Sequence, residues 1–542
     1  MARSTSPKPQ KKLEVTTSRH HDTSSIQEKI SRRQSRELVV AFSGPLGSGI
    51  KKVIDHFQTC AHKAEYQTER ISLSKHIKKA YNKLDQSTLP DKLKNIGIDT
   101  LTGANRYKIF QDIGNFLRDT KEKDILIQYA IEEIILTRIK KAQPQYDKLI
   151  EEGKINPAEI NIAKFAVELY VPQKTIYIID QLKNDAEVAL LEDVYGDLFY
   201  LIGILCSETE RLNNLKSERI DEPDAHKIML RDQKQEDDFG QQLEKTLKFS
   251  DYFIRNTESD LKELDNKLNR FLDIIHNISV ITPTKDEHAM YIAHSAAMKS
   301  ACLSKQVGAS ITNDQGQIIA TGCNDVPRSK GGLYTINDEK DLRCHNYGGK
   351  CHNDDFKKRQ IKEQLAEVLD EFDLTNKDLI LDNIFKKTRI KDLIEFSRAI
   401  HAEMDAITSI ARTGSASTKN CTLYSTTYPC HNCARHIVAS GIMKVVYIEP
   451  YEKSLATDLH GDSISNMQNS DGKVSFVHFE GVSPRKYQDF FLSNTPRKDS
   501  DGFVIGKEDY DLKSKIHPYL DSYRALESKV SEHLQVRTKD SQ

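Results

Sequence analysis

The stretch Thr426–Ile442, "TTYPCHNCARHIVASGI", decides how this chain is read. It follows "CTLYST", a short strand, and its Pro429-Cys430-x-x-Cys433 sits where a helix begins. Two thiolates one helical turn apart can be offered to a single metal ion. Upstream lies His401-Ala-Glu403, separated from Pro429 by a spacer of 25 residues. "SRAIHAEMDAITSIART" carries the helical period and places His401 and Glu403 in its first turn. His401 is then the third ligand. Three protein ligands leave the fourth tetrahedral position of a zinc ion to water, the mark of a catalytic site rather than a closed structural one. Glu403 stands two residues from a ligand, close enough to touch that water without binding the metal. A C-x-x-C pair alone reads as a zinc knuckle or a redox pair, but such a site wants a fourth Cys or His and has no use for a spare carboxylate. The expected cofactor is Zn²⁺, and the strand-then-helix pattern around each ligand argues for an α/β domain.

The rest of the chain sets the frame. At 542 residues it is too long for one ordinary core, so two or three domains are expected. Lys and Arg number 79 against 80 Asp and Glu, which excludes a surface coated in positive charge for nucleic acid. There is no apolar run of transmembrane length, and the basic N-terminus lacks the apolar core of a secretory signal. Nine scattered cysteines suit a reducing compartment better than a disulfide framework. A soluble, cytoplasmic protein with no membrane partner is the expectation. Residues 1–36, rich in Ser, Thr, Lys and Arg, read as a disordered leader.

From Glu37 strands and helices alternate. "ELVVAFSG" runs into a glycine-rich turn, "TERISLS" (68–74) and "KTIYIIDQLKN" (174–184) read as strands, and "DYFIRNT" (251–257) closes the region. "YKIFQDIGNFLRD" and "ILIQYAIEEIILTRIKKA" have helical period. Residues 37–257 are therefore expected to form a three-layer αβα domain with a largely parallel sheet. Residues 258–281 read as a connecting helix, 282–492 as a second α/β domain, and 493–542 as a polar loop followed by a helix.

The metal motif, H-x-E followed by P-C-x-x-C, is the signature of zinc deaminases. Residues 282–480 resemble the deoxycytidylate deaminase branch of the cytidine deaminase superfamily: "HSAAMKSACLSKQVGASITNDQGQIIATGCNDVP" is similar to its first helix, hairpin and substrate-binding turn, and "TLYSTTYPCHNCARHIVASGIMKVVYIEPYEKS" to its zinc-binding strand, helix and following strand. The resemblance implies a cytidine-deaminase-like αβα fold and a hydrolysis in which a zinc-activated water attacks C4 of cytosine while Glu403 relays protons to N3 and to the departing ammonia. It also implies that Asn324, in "TGCNDVP", contacts the sugar of the substrate, although Asn-Asp before Pro is ordinary turn chemistry as well. Some members carry a second metal in an insertion before the catalytic helix. Here "LRCHNYGGKCHNDD" supplies Cys344, His345, Cys351 and His352 as candidates, in a longer insertion whose irregular spacing fits a polar loop with incidental cysteines better.

The turn "AFSGPLGSGIKKV" (41–53) approaches a phosphate-binding P-loop, G-x-x-x-x-G-K-[ST]. Gly44 and Gly49 fit the frame, but Ile50 holds the lysine position and Lys51 the hydroxyl position. Adjacent helical residues point about 100° apart, so the lysine cannot slide one place. Phosphoryl transfer is therefore not expected, while backbone N–H groups at a helix start still suit an anion. Gly44, Gly47, Ser48, Gly49 and Asp180 are the candidate contacts of a regulatory nucleotide. With this N-terminal P-loop domain of nucleotide-kinase type, the chain is similar to bacterial anti-phage deoxycytidylate deaminases of the AvcD/DcdV type. That likeness implies dCMP or dCTP as substrate, depletion of the deoxycytidine pool during infection, restraint by a small RNA or a nucleotide, and assembly as a homo-oligomer. Two other readings stay open: a tRNA or single-stranded DNA deaminase, and a bifunctional nucleotide kinase and deaminase.

Overall fold

The "ELVVAFS" segment becomes β1 (Glu37–Ser43), buried along its whole length. In the computed structural model, which describes residues 35–233, 242–256, 261–276, 280–372, 376–388, 390, 393–451, 454–467, 472–492, 496–505 and 520–540, β1 is central to a sheet. It pairs in parallel with β3 (Thr175–Asp180) on one side and β4 (Phe199–Leu205) on the other. β2 (Gln67–Ser72) lies beyond β3, and β5 (Tyr252–Arg255) beyond β4, both parallel. Successive connections leave β1 toward opposite edges, which opens a crevice at the carboxyl ends of the strands. The glycine-rich turn occupies that crevice and leads into helix Ile50–Lys63. Of the leader expected over 1–36, all but the last two residues lie outside the described residues.

A second sheet begins with the antiparallel hairpin β6 (Gly308–Thr312) and β7 (Ile318–Cys323). β6 also pairs antiparallel with β8 (Thr422–Thr427), and from there β9 (Lys444–Glu449), β10 (Ile464–Ser465) and β11 (Val474–His478) are added in parallel, in the order β7-β6-β8-β9-β11-β10. Alternate residues of the strands face opposite layers. Leu423, Val445 and Phe476 pack with Ala402, Ala406 and Ile437 of helices Ala402–Thr413 and His431–Ala439. Tyr424, Val446 and Val477 pack on the other side with Ala289, Met290 and Ala293 of helix Lys285–Ala297. Two glycines let these helices lie flush. A Cβ on Gly308 would sit 1.9 Å from the Ala293 carbonyl oxygen, and one on Gly322 would sit 2.2 Å from that of Ala402.

The halves are interlocked. Leu205, Leu243 and Phe253 of the first share one apolar cluster with Ala289, Tyr424, Val446 and Phe479 of the second. Each such large apolar side chain contributes about 1.5–3 kcal/mol by leaving water. β12 (Gly481–Val482) pairs antiparallel with β5, so residues from within the expected 282–492 unit finish the edge of the first sheet. The segment read as a connector contains helix Leu261–Ile275, whose Arg270 reaches both carboxylate oxygens of Glu287 at 2.8 Å. Glu287, fully buried, also accepts the Val482 N–H. Helix Leu520–Asp540 docks on helix Ile125–Glu151, where Arg138 is gripped by Glu37 of β1 and, bidentately at 2.6 and 3.0 Å, by Glu527. Among the described residues no helix is long and apolar enough to cross a membrane.

Candidate active site

β8 ends at Thr427, and the chain turns through Tyr428 and Pro429 so that Cys430 becomes the N-cap of helix His431–Ala439. The Cys430 sulfur accepts the Cys433 N–H at 3.4 Å, the usual role of a capping side chain. His401 is the N-cap of helix Ala402–Thr413. Two helix starts therefore converge, and their partial positive ends favour anionic sulfur. His401 Nδ1 lies 3.3 Å from Cys430 Sγ and 3.4 Å from Cys433 Sγ, and the three donor atoms lie within 4.8 Å of one another. Zn–N and Zn–S bonds of about 2.0 and 2.3 Å at tetrahedral angles put N and S about 3.5 Å apart, so the triangle fits a zinc ion. Among the described residues this is the one group of three or more such donors at that spacing.

Glu403 is 4 % exposed, and its Oε2 lies 3.5 Å from Cys433 Sγ. Burial raises its pKa above the ordinary carboxylate range, against the pull of His401. A proton is thereby more readily held on this carboxyl than on a solvated one, as proton relay requires. Cys430 is held low, first by the hydrogen bond from Cys433 and then by His401, while Cys433 is correspondingly pushed up by its bond to Cys430. His401 is raised to about 9, chiefly by its hydrogen bond with Cys430. One thiolate beside an imidazolium is a donor set ready to exchange its protons for a divalent cation.

Asn324 follows β7 and is 8 % exposed. Its Oδ1 accepts the Val307 N–H at 2.7 Å and its Nδ2 donates to the Lys305 carbonyl at 2.7 Å, so it binds the turn that precedes β6. The Cys-His segment is not gathered into one ligand set. Cys351 Sγ lies 3.4 Å from Ser304 Oγ, His352 Nε2 lies 3.2 Å from the Tyr347 carbonyl, and His345 lies 3.7 Å from the Asp341 carboxylate.

The glycine-rich turn is built as a cradle. Gly47 and Gly49 take φ of 82° and 72°, a region where a side chain is strained. Carbonyls of the turn are held outward: Gly44 by Lys183 Nζ (2.7 Å), Leu46 by Arg211 Nε (2.9 Å), Gly47 by Asn214 Nδ2 (2.7 Å) and Ser48 by Asn256 Nδ2 (2.8 Å). Beside them lies a cavity of about 520 Å³ lined in part by Gly47, Ser48, Gly49, Lys51, Lys52 and His56. Asp180 does not reach it; its Oδ1 accepts the Leu73 N–H at 2.9 Å, and its neighbour Gln181 lines the cavity instead. Lys183, Asn214 and Asn256 carry no motif, and only the fold brings them to the turn.

Residues 283–449 match the family model of the cytidine and deoxycytidylate deaminase zinc-binding region. A solved dCMP deaminase from the cyanophage S-TIM5, in complex with dCMP and dUMP, shows a slight likeness: 19 % identity over 37 % of this chain and 99 % of its own, with a TM-score of 0.22. The deoxycytidylate deaminase of Saccharomyces cerevisiae is 27 % identical over 199 residues, 36 % of this chain and 46 % of its own. That of Enterobacteria phage T2 is 34 % identical over 175 residues, 31 % of this chain and 82 % of the phage protein. Identity at that level, sustained across four-fifths of the phage enzyme, is common descent, and the chain belongs to the deoxycytidylate deaminase family of zinc-dependent hydrolases.

Proposed function

We propose that the chain hydrolyses the exocyclic amine of deoxycytidine nucleotides, dCMP, dCTP or both, releasing ammonia and a deoxyuridine nucleotide. The observation that carries this reading is the buried Glu403 carboxyl beside the His401, Cys430 and Cys433 triangle. His401, Cys430 and Cys433 would hold the zinc, which would supply the Lewis acidity that makes water a nucleophile near neutral pH. Glu403 is placed to take one proton from the attacking water and deliver it to N3 of the cytosine ring as the oxygen bonds to C4. It is then placed to take the remaining hydroxyl proton and deliver it to the amine as the C4–N bond breaks, which releases ammonia and leaves a C4 carbonyl. Asn324, with two of its four hydrogen-bonding positions taken by the turn at 305–307, offers the others to a sugar hydroxyl. The cradle at Gly44, Gly47, Ser48 and Gly49 holds a regulatory nucleotide without phosphoryl transfer, since Ile50 and Lys51 replace the residues that reaction needs.

The wider role follows from the likeness to anti-phage deaminases: a cytoplasmic homo-oligomer that drains the deoxycytidine nucleotide pool during infection and is kept quiet by a nucleotide or a small RNA. A net charge of −1 argues against a polynucleotide substrate. The test is incubation of the purified chain with dCMP, dCTP, their ribose counterparts and a cytosine-bearing oligonucleotide, scoring uracil products. Glu403→Gln is expected to keep its zinc and to lose about 10²–10⁴-fold in rate. Turnover of the oligonucleotide alone, or full activity in Glu403→Gln, refutes the proposal.

A further inference from the structure

At the carboxyl end of β8 and β9, two lysines share one carboxylate. Lys305 Nζ donates to Glu449 Oε2 and, at 3.0 Å, to Thr427 Oγ1. Lys248 Nζ lies 3.2 Å from the same Glu449 Oε2. Thr427 and Glu449 are register partners at the ends of their strands, and the Tyr428 N–H donates to the Glu449 carbonyl at 2.8 Å. Cys430 is three residues past Thr427, at most about 10 Å of chain. The Lys305 carbonyl is also the one that Asn324 grips, so the cluster is tied directly to the Asn324 turn.

Two ammonium groups against one carboxylate leave a surplus positive charge. The lysine side chains are 40 % and 44 % exposed, accessible to a ligand, whereas Glu449 is 22 % exposed and stays behind them. A nucleotide phosphate carries about −1.5 to −2 at neutral pH. Lysine answers it as a mobile point charge on a flexible stem. Ligands of open α/β sheets sit outside the carboxyl ends of the strands, where this cluster lies. Lys248 ends helix Leu243–Lys248, which belongs to the N-terminal half and lies outside the residues matched to the family.

We propose that Lys305 and Lys248 together read the 5′-phosphate of the substrate, with Glu449 holding both ammonium groups at the rim until it arrives. The N-terminal half thereby contributes directly to substrate choice. The inference rests on the nucleotide deaminase reading above.

The experiment compares dCMP with deoxycytidine in the full-length wild type, Lys248→Met, Lys305→Met and Lys248→Arg. The quantity read is the ratio of kcat/KM for the two substrates; where deoxycytidine turns over too slowly, its inhibition constant against dCMP takes the place of its kcat/KM. Each Met variant is expected to lower the preference for the phosphorylated substrate about 10- to 100-fold through KM, the range of a charge-assisted contact. Lys248→Arg is expected to retain most of it. Equal losses on both substrates, with the preference intact, make the lysines a structural bridge and overturn the proposal. A wild type that acts on a cytosine oligonucleotide and on neither small substrate defeats the parent reading itself.

Discussion

Gly322→Ala tests whether the flush contact between β7 and helix Ala402–Thr413 sets the catalytic geometry. The added Cβ would lie 2.2 Å from the Ala402 carbonyl oxygen and 2.5 Å from the Ala406 nitrogen, both backbone atoms. A close C···O approach is about 3.3 Å, so strand and helix must part by about 1 Å. His401 caps that helix and Glu403 lies in its first turn, so the displacement goes straight to the proposed metal ligand and proton carrier. Misplacement by about 1 Å costs on the order of 10²-fold in rate, and overpacking of this kind about 1–3 kcal/mol in stability. We expect kcat to fall about 100-fold, measured by release of ammonia from the nucleotide substrate, with a lowered urea midpoint and the fold retained by circular dichroism. A kcat within threefold of wild type at unchanged stability refutes the view that this glycine positions the site.

Removing His401, Cys430 or Cys433 by substitution to Ala is expected to abolish both bound zinc and activity, read by metal analysis of the purified chain; one zinc per chain in the wild type matches the triangle, whereas two, with one lost in Cys344→Ser or Cys351→Ser, would establish the candidate second site. Glu527→Ala strips Arg138 of a bidentate partner inside the protein and is expected to cost about 3–5 kcal/mol, as broken buried pairs do, read by chemical denaturation; a loss under about 1 kcal/mol would refute it. Burial, reinforced by Arg255 and Arg211, pushes the His478 pKa down to about 3, against about 6.5 in an unfolded chain. Between those values the unfolded state alone binds the proton, so this group removes about 1.4 kcal/mol of stability per pH unit as pH falls from 6.5 toward 3. His478→Gln should flatten the pH profile of the urea midpoint in that window, and an unaltered profile would disprove the link.

Local chemistry made the zinc triangle legible. Cys430 and Cys433 are one turn apart, and His401 and Glu403 share a first turn, so each pair is placed by helix geometry alone, and the motif supplies the rest. β1 and its glycine turn were legible for the same reason: the apolar run Leu38–Phe42, then glycines that take up a left-handed turn. Helix Ile125–Glu151 runs past Pro144, where a sequence reading stops, because Pro144 lies on the exposed face while Tyr146 and Leu149 beyond it are buried. The two residues of β12 are too few to show any period, and they are held by long-range contacts, the pairing with β5 and the Val482 N–H on the Glu287 carboxylate. Lys183, Asn214 and Asn256 gave no signal because their task is to restrain carbonyls of a turn 139 to 208 residues away. Asp180 misled for the opposite reason: a strand-end aspartate beside such a turn looks like a ligand, but the Leu73 N–H claims it.

The Arg138–Glu527 pair also has a bearing on how the protein is made. The partners are separated by 389 residues, and a ribosome adding about 5–20 residues per second needs roughly 20–80 s to cover that distance. Through that interval the bottom of the first sheet holds a guanidinium whose second carboxylate has not been synthesised. The N-terminal half therefore gains this contact only once Glu527 has been made. Fragments released early hold Arg138 on Glu37 alone, without the clamp that ties helix Ile125–Glu151 to helix Leu520–Asp540, and are expected to be more open to proteolysis.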